Sequence, residues 1–460
     1  MIKLSIAEFA KIAGGEINGL NSDDVIGLHA VINSKESNKS NFFAAFKGAN
    51  VDGHDFVKES IANGSPFALV ERPVEYPHIL VSNVLESLTK LAKFNRAHLP
   101  NLKVIGITGS QGKTTTKDFL AHLLNVSGNT VAPIASLNNE LGVPLLLLQC
   151  DETSKYCIVE MGARHKGDIA HLCEIAHPNI GVVLVVGQAH LGEFGSIESI
   201  AQTKQELIDN LPADGLAVLG NYDSYTPKMA DGKSLRVITF GENTGCEVRA
   251  ADVEIKEGRA NFDLVTKDGR ASVALQLLGA QQIANALAAA AVATELGMGI
   301  DAIAAALSTA ELKSKWRMEF LEIGGVAIIN DSYNANPDSA IAALKSLALI
   351  TQERGGSSWA ILGKMHELGE SSTQEHSRVG KIAADIGIDH LISVGQNQYL
   401  AGVEGSETMG MAIASQDEFT KFIEHISPGD VLLFKASRAE KLNEMVDSVV
   451  SYLRERESAK

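Results

Sequence analysis

Two textures of apolar residues run along the chain. The runs KVIGIT, YCIVEM and IGVVLVV, between residues 103 and 186, are apolar nearly throughout. The absence of strict alternation suits parallel strands covered by helices on both faces. The segment LESLTKLAKFNRAHL ahead of them places apolar residues about every third or fourth position, the period of a helix. Strands alternating with helices predict a doubly wound sheet. From 247 to 277 the pattern becomes strictly alternating, EVRAADVEI and then ANFDLVTKDGRASVALQL around Asp268-Gly269, which predicts a β-hairpin insertion. The alanine-rich QQIANALAAAAVATEL after it reads as a tightly packed helix.

The first 84 or so residues carry shorter segments, FFAAFKGANVDGHDFV, FALVERP and HILVSN, the texture of a small α/β unit. Beyond residue 313 strands and helices alternate again: GVAIIND, SAIAALKSLALI, SWAILG, HLISVG, DVLLF and a closing helix EKLNEMVDSVVSYLRER. This third region is Rossmann-like, but it lacks a G-x-G-x-x-G opening, so no nicotinamide cofactor is implied. The expectation is an α/β protein of three domains, 1–84, 85–313 and 314–460.

Composition narrows the function. The chain of 460 residues is 45% hydrophobic and 21% charged, the balance of a globular protein with sizeable cores. A formal charge of -16 argues against a nucleic-acid partner, because counterion release needs clustered Lys and Arg. Cys150, Cys157, Cys173 and Cys246 are scattered without a C-x-x-C pair, so neither a zinc site nor a disulfide framework is indicated. No run reaches the roughly 18 uninterrupted apolar residues of a membrane helix. A cytoplasmic protein is expected.

The chemistry concentrates in VIGITGSQGKTTTKDFLAHLL, residues 104 to 124. Thr108, Gly109, Ser110, Gln111, Gly112, Lys113, Thr114 and Thr115 join a strand to a helix, the context a phosphate-binding loop requires. Glycines let consecutive amides turn inward around phosphate oxygens, Lys113 supplies a point charge and the Thr114 hydroxyl can ligate Mg²⁺. ATP is the expected ligand. Glu160 ends the strand YCIVEM at the carboxyl edge of the sheet, where a second metal contact belongs. His190 follows the strand IGVVLVV and offers an imidazole nitrogen, although a lone histidine is usually structural or solvated.

Ile107 stands where the usual phosphate loop has its first glycine, and this shortened T-G-x-x-G-K-T form resembles that of the Mur ligase family. These are ATP-dependent amide-forming enzymes that build the peptidoglycan precursor peptide. The resemblance extends over essentially the whole chain. FFAAFKGANVDGHDF is similar to the family's uridine-nucleotide domain, and the preceding Asn33-Ser34-Lys35 matches its D-S-R segment in Ser34 and Lys35 only. LNNELGVPLLLL resembles the loop that approaches the γ-phosphate and the peptide, which points to Asn138, Asn139 and Glu140.

The same resemblance implies magnesium ligation by Glu160 and His190, and carbamylation of Lys204 in IESIAQTKQELIDNL to a metal-binding anion. It implies an adenine neighbour at Asn285, with Gln281 and Gln282 where the family has His-Asn, and a phosphate contact from Arg317 in KSKWRMEF. Asp331 matches an aspartate that contacts nucleotide or metal-bound water, and Tyr333, Asn334 and Asn336 match residues lining the nucleotide. YNANPDS and FKASR resemble the branch that joins D-alanyl-D-alanine to UDP-N-acetylmuramoyl-tripeptide through an acyl phosphate, as a monomer using ATP and Mg²⁺. Ala436 and Lys364 depart from that branch, where glycine and aspartate are usual. The base for the incoming amine is not assigned, and His366 in GKMHELG reads as a solvated loop histidine.

Overall fold

The computed structural model describes residues 1–48, 51–134, 137–187, 191–311, 314–414 and 416–458. A nine-stranded sheet forms its centre. Lys103–Thr108 lies between Tyr156–Glu160 and Ile180–Val183, all parallel, and Leu216–Gly220 and Arg236–Gly241 extend the sheet in the same direction. One face packs on the helices Lys113–Asn125 and Gln282–Glu295, the latter buried along almost its whole length. Alanines at its contact positions let the two helices approach closely while keeping good helix propensity.

The predicted hairpin is there, with Thr266 paired to Gly269, but it is part of something larger. Val248–Lys256, Arg259–Thr266 and Gly269–Leu278 form an antiparallel meander, and Val248 pairs in parallel with Phe240. The alternating segment therefore continues the central sheet rather than standing off it as an insertion. Its alternation follows from having one face on helices and the other in solvent.

The N-terminal unit is a five-stranded mixed sheet in the order Glu16–Asn18, His78–Leu80, Ala68–Val70, Asn41–Ala44, His29–Val31. Its core of Phe9, Phe42 and Phe67 runs without a break into the central domain through Leu88, Leu91 and Val143. The bridge is the helix Val84–Ala97, capped by Asn83. Buried Asn95 accepts from the Ile2 amide at 2.9 Å and donates to the carbonyls of Leu147 and Cys150 at 2.9 Å. The C-terminal unit is a six-stranded sheet with the order Glu319–Ile323, Val326–Asp331, Val431–Lys435, Ser358–Leu362, His390–Val394, Met409–Ile413. Only its first pair is antiparallel. Among the described residues no helix is long and apolar enough to cross a membrane, and the four cysteines are free and buried.

Candidate active site

A cavity of about 1260 Å³ lies where the carboxyl ends of the central strands face those of the C-terminal sheet. That is where open α/β sheets bind ligands, because loops diverge there and helix N-termini point in. Ser110 to Thr115 form one wall, and Glu160 closes it at the end of its strand.

The phosphate loop is held by its own backbone. Gly112 has φ +86°, and a Cβ there would fall 2.2 Å from the Asn285 Oδ1, so only glycine fits. Lys113 opens the helix and donates to the Gly109 carbonyl at 2.6 Å. Burial pushes its ammonium below the usual range, Glu160 opposes that shift and Arg317 adds to it. Two hydroxyls of this segment are taken up by backbone groups. The Thr108 hydroxyl donates to the Met161 carbonyl at 2.9 Å, and the Ser110 hydroxyl donates to the Gly187 carbonyl at 3.1 Å.

The Thr114 hydroxyl donates to Glu160 Oε2 at 3.1 Å, and Glu160 is fully buried. A hydroxyl and a carboxylate meeting beside a phosphate loop are hard oxygen donors, the set Mg²⁺ takes alongside phosphate oxygens and water. Lys204 sits on the buried stripe Ile200, Lys204, Leu207, Ile208 of the helix Ile197–Asp209. Burial, with Lys113 second, pushes its pKa down to about 7. As an ammonium it would repel a cation, whereas as a carbamate it would join the oxygen set. His190 lies outside the described residues. Among the described residues no group of three or more His, Cys, Asp or Glu is placed to hold a metal ion.

The C-terminal domain supplies the opposite wall. Arg317 stacks on the Tyr333 ring with its guanidinium carbon 4.0 Å from the centroid. Its neighbours Trp316 and Met318 have φ of +61° and +51°, unusual for non-glycine residues. Hydrogen bonds hold that backbone: the Tyr333 amide donates to the Trp316 carbonyl at 3.1 Å, and the Met318 amide to Asp331 Oδ1 at 3.1 Å. Asp331 Oδ2 in turn accepts from Lys435 Nζ at 2.5 Å. Both Asp331 oxygens thus have protein partners, which adds a role in shaping the Arg317 turn to the nucleotide contact expected of it. Asn336 caps the helix Pro337–Arg354 with its side chain, and the Asn334 carbonyl accepts from Lys435 at 2.9 Å.

Asn138, Asn139 and Glu140 also line the cavity, anchored by the Gly162 amide donating to the Asn138 carbonyl at 2.9 Å. Asn285 accepts from the Thr116 hydroxyl at 3.3 Å and donates to Gln282 at 2.8 Å, while Gln281 faces the cavity. Ser34 and Lys35 are not among the lining residues. The Ser34 hydroxyl donates to Glu59 at 2.8 Å in the N-terminal unit, and Lys35 is exposed. The residues that the sequence reading did not single out are Trp316, Lys435 and Arg438. Arg438 stacks over the Trp316 ring at 4.2 Å, and FKASR was the available signal.

Models of two families match the chain: the Mur ligase middle domain over 107–293 and the Mur ligase, glutamate ligase domain over 316–438. The UDP-N-acetylmuramoyl-tripeptide--D-alanyl-D-alanine ligase of Mycobacterium bovis is 38% identical, covering 98% of each chain. The chain belongs to the Mur ligase family. The Escherichia coli ligase of the same description is 33% identical over 87% of each chain. The crystal structure of MurF from Acinetobacter baumannii superposes with a TM-score of 0.86 at 31% identity, covering 98% of this chain and 99% of that one. MurF from Thermotoga maritima, solved in complex with ADP, gives a TM-score of 0.79 at 30% identity, covering 94% and 99%.

The central and C-terminal units of this Mur ligase are in contact. Arg164 lies 3.3 Å from Glu367, and a Cβ on Gly192 would fall 2.6 Å from the Gly369 amide. Gly192→Val should therefore hold the domains apart. Misplacing reacting groups by about 1 Å costs on the order of 100-fold, so kcat/KM should fall by about that factor with Tm unchanged. Small-angle scattering with ADP should show a larger radius of gyration than the wild type. Identical scattering and rates would remove this contact from the catalytic cycle.

The Ala436 departure is also explained. Ala436 is buried, its φ is negative, and its methyl occupies space that a side chain at Gly363 would need, 2.7 Å away. The small residue required at this crossing is Gly363.

Proposed function

We infer that the protein is an ATP-dependent ligase that joins D-alanyl-D-alanine to UDP-N-acetylmuramoyl-tripeptide, a step of peptidoglycan synthesis. The observation that carries the reading is one cavity walled by both domains. Lys113, Thr114 and Glu160 stand on one side, and Arg317, His366 and Arg438 on the other. A phosphate donor and a second reactant both have a wall in it.

Joining a carboxylate to an amine in water is uphill, so the tripeptide carboxylate must first acquire a leaving group. Its attack on the γ-phosphate gives an acyl phosphate, which the dipeptide amine then opens. Lys113 and Arg317 neutralise charge on the transferring group. Thr114, Glu160, His190 and a carbamylated Lys204 would hold Mg²⁺, whose charge would lower the repulsion between carboxylate and phosphate. Asn285, Tyr333, Asn334 and Asn336 surround the nucleotide, with Asp331 beside it. Ser34 and Lys35 belong to the UDP-sugar end, and Asn138 to Glu140 to the peptide between. Domains 1–84, 85–313 and 314–460 then divide sugar, ATP and dipeptide. Free buried cysteines suit a reducing cytoplasm, and we expect a monomer.

The test is phosphate release from ATP and Mg²⁺ with UDP-N-acetylmuramoyl-tripeptide, with and without D-alanyl-D-alanine. Release that needs both substrates and yields a new amide is expected. Turnover indifferent to the dipeptide would instead mark a phosphate-loop ATPase.

A further inference from the structure

We propose that His366 is the general base that deprotonates the incoming amine, and that Glu440 is its positioning residue. The inference rests on the ligase reading above and concerns its second step. His366 belongs to the segment after the strand Ser358–Leu362, and Glu440 follows the strand Val431–Lys435, so two adjacent strands deliver the pair. His366 Nε2 lies 2.6 Å from Glu440 Oε1. A carboxylate at that distance keeps the proton on Nε2, which leaves Nδ1 with its lone pair. Among the described residues the ring's hydrogen bond is made at Nε2 and none at Nδ1.

The backbone at His366 is fixed from two sides. Its amide donates to the Ser437 hydroxyl at 3.0 Å, and the preceding Met365 amide donates to His376 Nε2 at 2.9 Å. His376 is itself fully buried, with Nδ1 donating to the Ser372 carbonyl at 2.6 Å. A solvated loop histidine would need no such clamps. The His366 side chain is 38% exposed, and the residue lines the same cavity as Lys113 and Arg317. The charged and titratable groups around it are Lys364 and Glu367 on its own segment, Arg438 and Glu440 from the last loop, His376 and Tyr399 behind, and Arg164 across the domain contact.

An α-amine has a pKa of about 8, so at neutral pH most of the dipeptide arrives as ammonium and cannot attack. His366 takes one proton from that nitrogen and returns it to water. The freed pair attacks the acyl carbon, the C–N bond forms, and the C–O bond to phosphate breaks with its electrons leaving on phosphate. The second N–H proton leaves with the phosphate as the adduct collapses. Acyl phosphate formation itself requires no proton transfer at His366.

Hydroxylamine separates the two steps, because it is largely unprotonated at neutral pH and needs no base to open an acyl phosphate. With ATP, Mg²⁺ and UDP-N-acetylmuramoyl-tripeptide, wild type and His366→Asn should form hydroxamate at equal rates. Ligation of D-alanyl-D-alanine by His366→Asn should fall about 100-fold in kcat, within the usual range for a general base. The loss should shrink above about pH 8, where the amine deprotonates unaided. Glu440→Gln should cost less in kcat for ligation and leave hydroxamate formation unchanged. Unchanged ligation in His366→Asn, or hydroxamate lost in parallel with ligation, would overturn the assignment. Absence of hydroxamate with the wild type would overturn the ligase reading itself, and the base with it.

Discussion

Replacing Lys113 with alanine should lower kcat/KM for ATP-dependent ligation by about 1000-fold while leaving the fold and Tm essentially intact. The magnitude is that of removing one preorganised donor from a developing negative charge. The ammonium is already in place, held by the Gly109 carbonyl at 2.6 Å, so it need not be reoriented when phosphate arrives. Burial works against its charge, and Glu160 only partly offsets that cost, so an anion arriving here would meet a site already biased toward it. Lys113→Arg should not rescue, because a planar fork does not replace a point charge in this turn. Both variants should show the wild-type circular dichroism spectrum. A Lys113→Ala enzyme within a few fold of wild type would mean that the loop does not hold the reacting phosphates.

Lys204 carries the second large effect. Burial pushes its pKa down to about 7, so it gives up its proton far more readily than an ordinary lysine, and the free amine is the form that adds CO₂. Wild-type activity should fall at least 10-fold in CO₂-depleted buffer and return with bicarbonate. Lys204→Met should be inactive in both. Stability should move the other way. The ordinary value of 10.5 lies above the folded value of about 7, so folding disfavours the protonated form. In CO₂-free buffer the penalty is full below pH 7 and fades as pH rises through 10.5, above which both states are neutral. Lys204→Met should therefore raise Tm by a few degrees below pH 7, with the gain shrinking as pH climbs. Activity indifferent to bicarbonate, or an active Lys204→Met, would exclude the carbamate.

How much of this was legible depends on how far apart the participants lie. The strand, turn and helix around Lys113 were legible because they are contiguous, and the expected elements formed over Lys103–Thr108 and Lys113–Asn125. The Asp331 to Lys435 pair spans 104 residues, and the Arg438 to Trp316 stack joins two segments that only the sheet order brings together. Lys117 and Asp118 are adjacent positions of the helix Lys113–Asn125. Both are buried, 2.8 Å apart, and they hold Ser314, just ahead of Arg317, through the Ser314 hydroxyl at 3.3 Å and its amide at 3.2 Å. Nothing local marks that tie between the phosphate helix and the entry to the third domain.

The sequence by itself determined what short-range physics determines. It set apolar runs for buried parallel strands, alternation for the half-exposed meander, glycines where the phosphate loop needs positive φ, and the residue types of the site. Tertiary structure decided which of those residues meet. It continued the meander into the central sheet, merged the N-terminal core with the central one through Asn95, and enclosed Lys204 enough to shift its proton. It also gave His366 a carboxylate partner from the turn that follows a neighbouring strand. The reason is the same in each case: local pattern sets backbone conformation and burial, whereas a proton's location and a charge's worth depend on neighbours that only the assembled sheets supply.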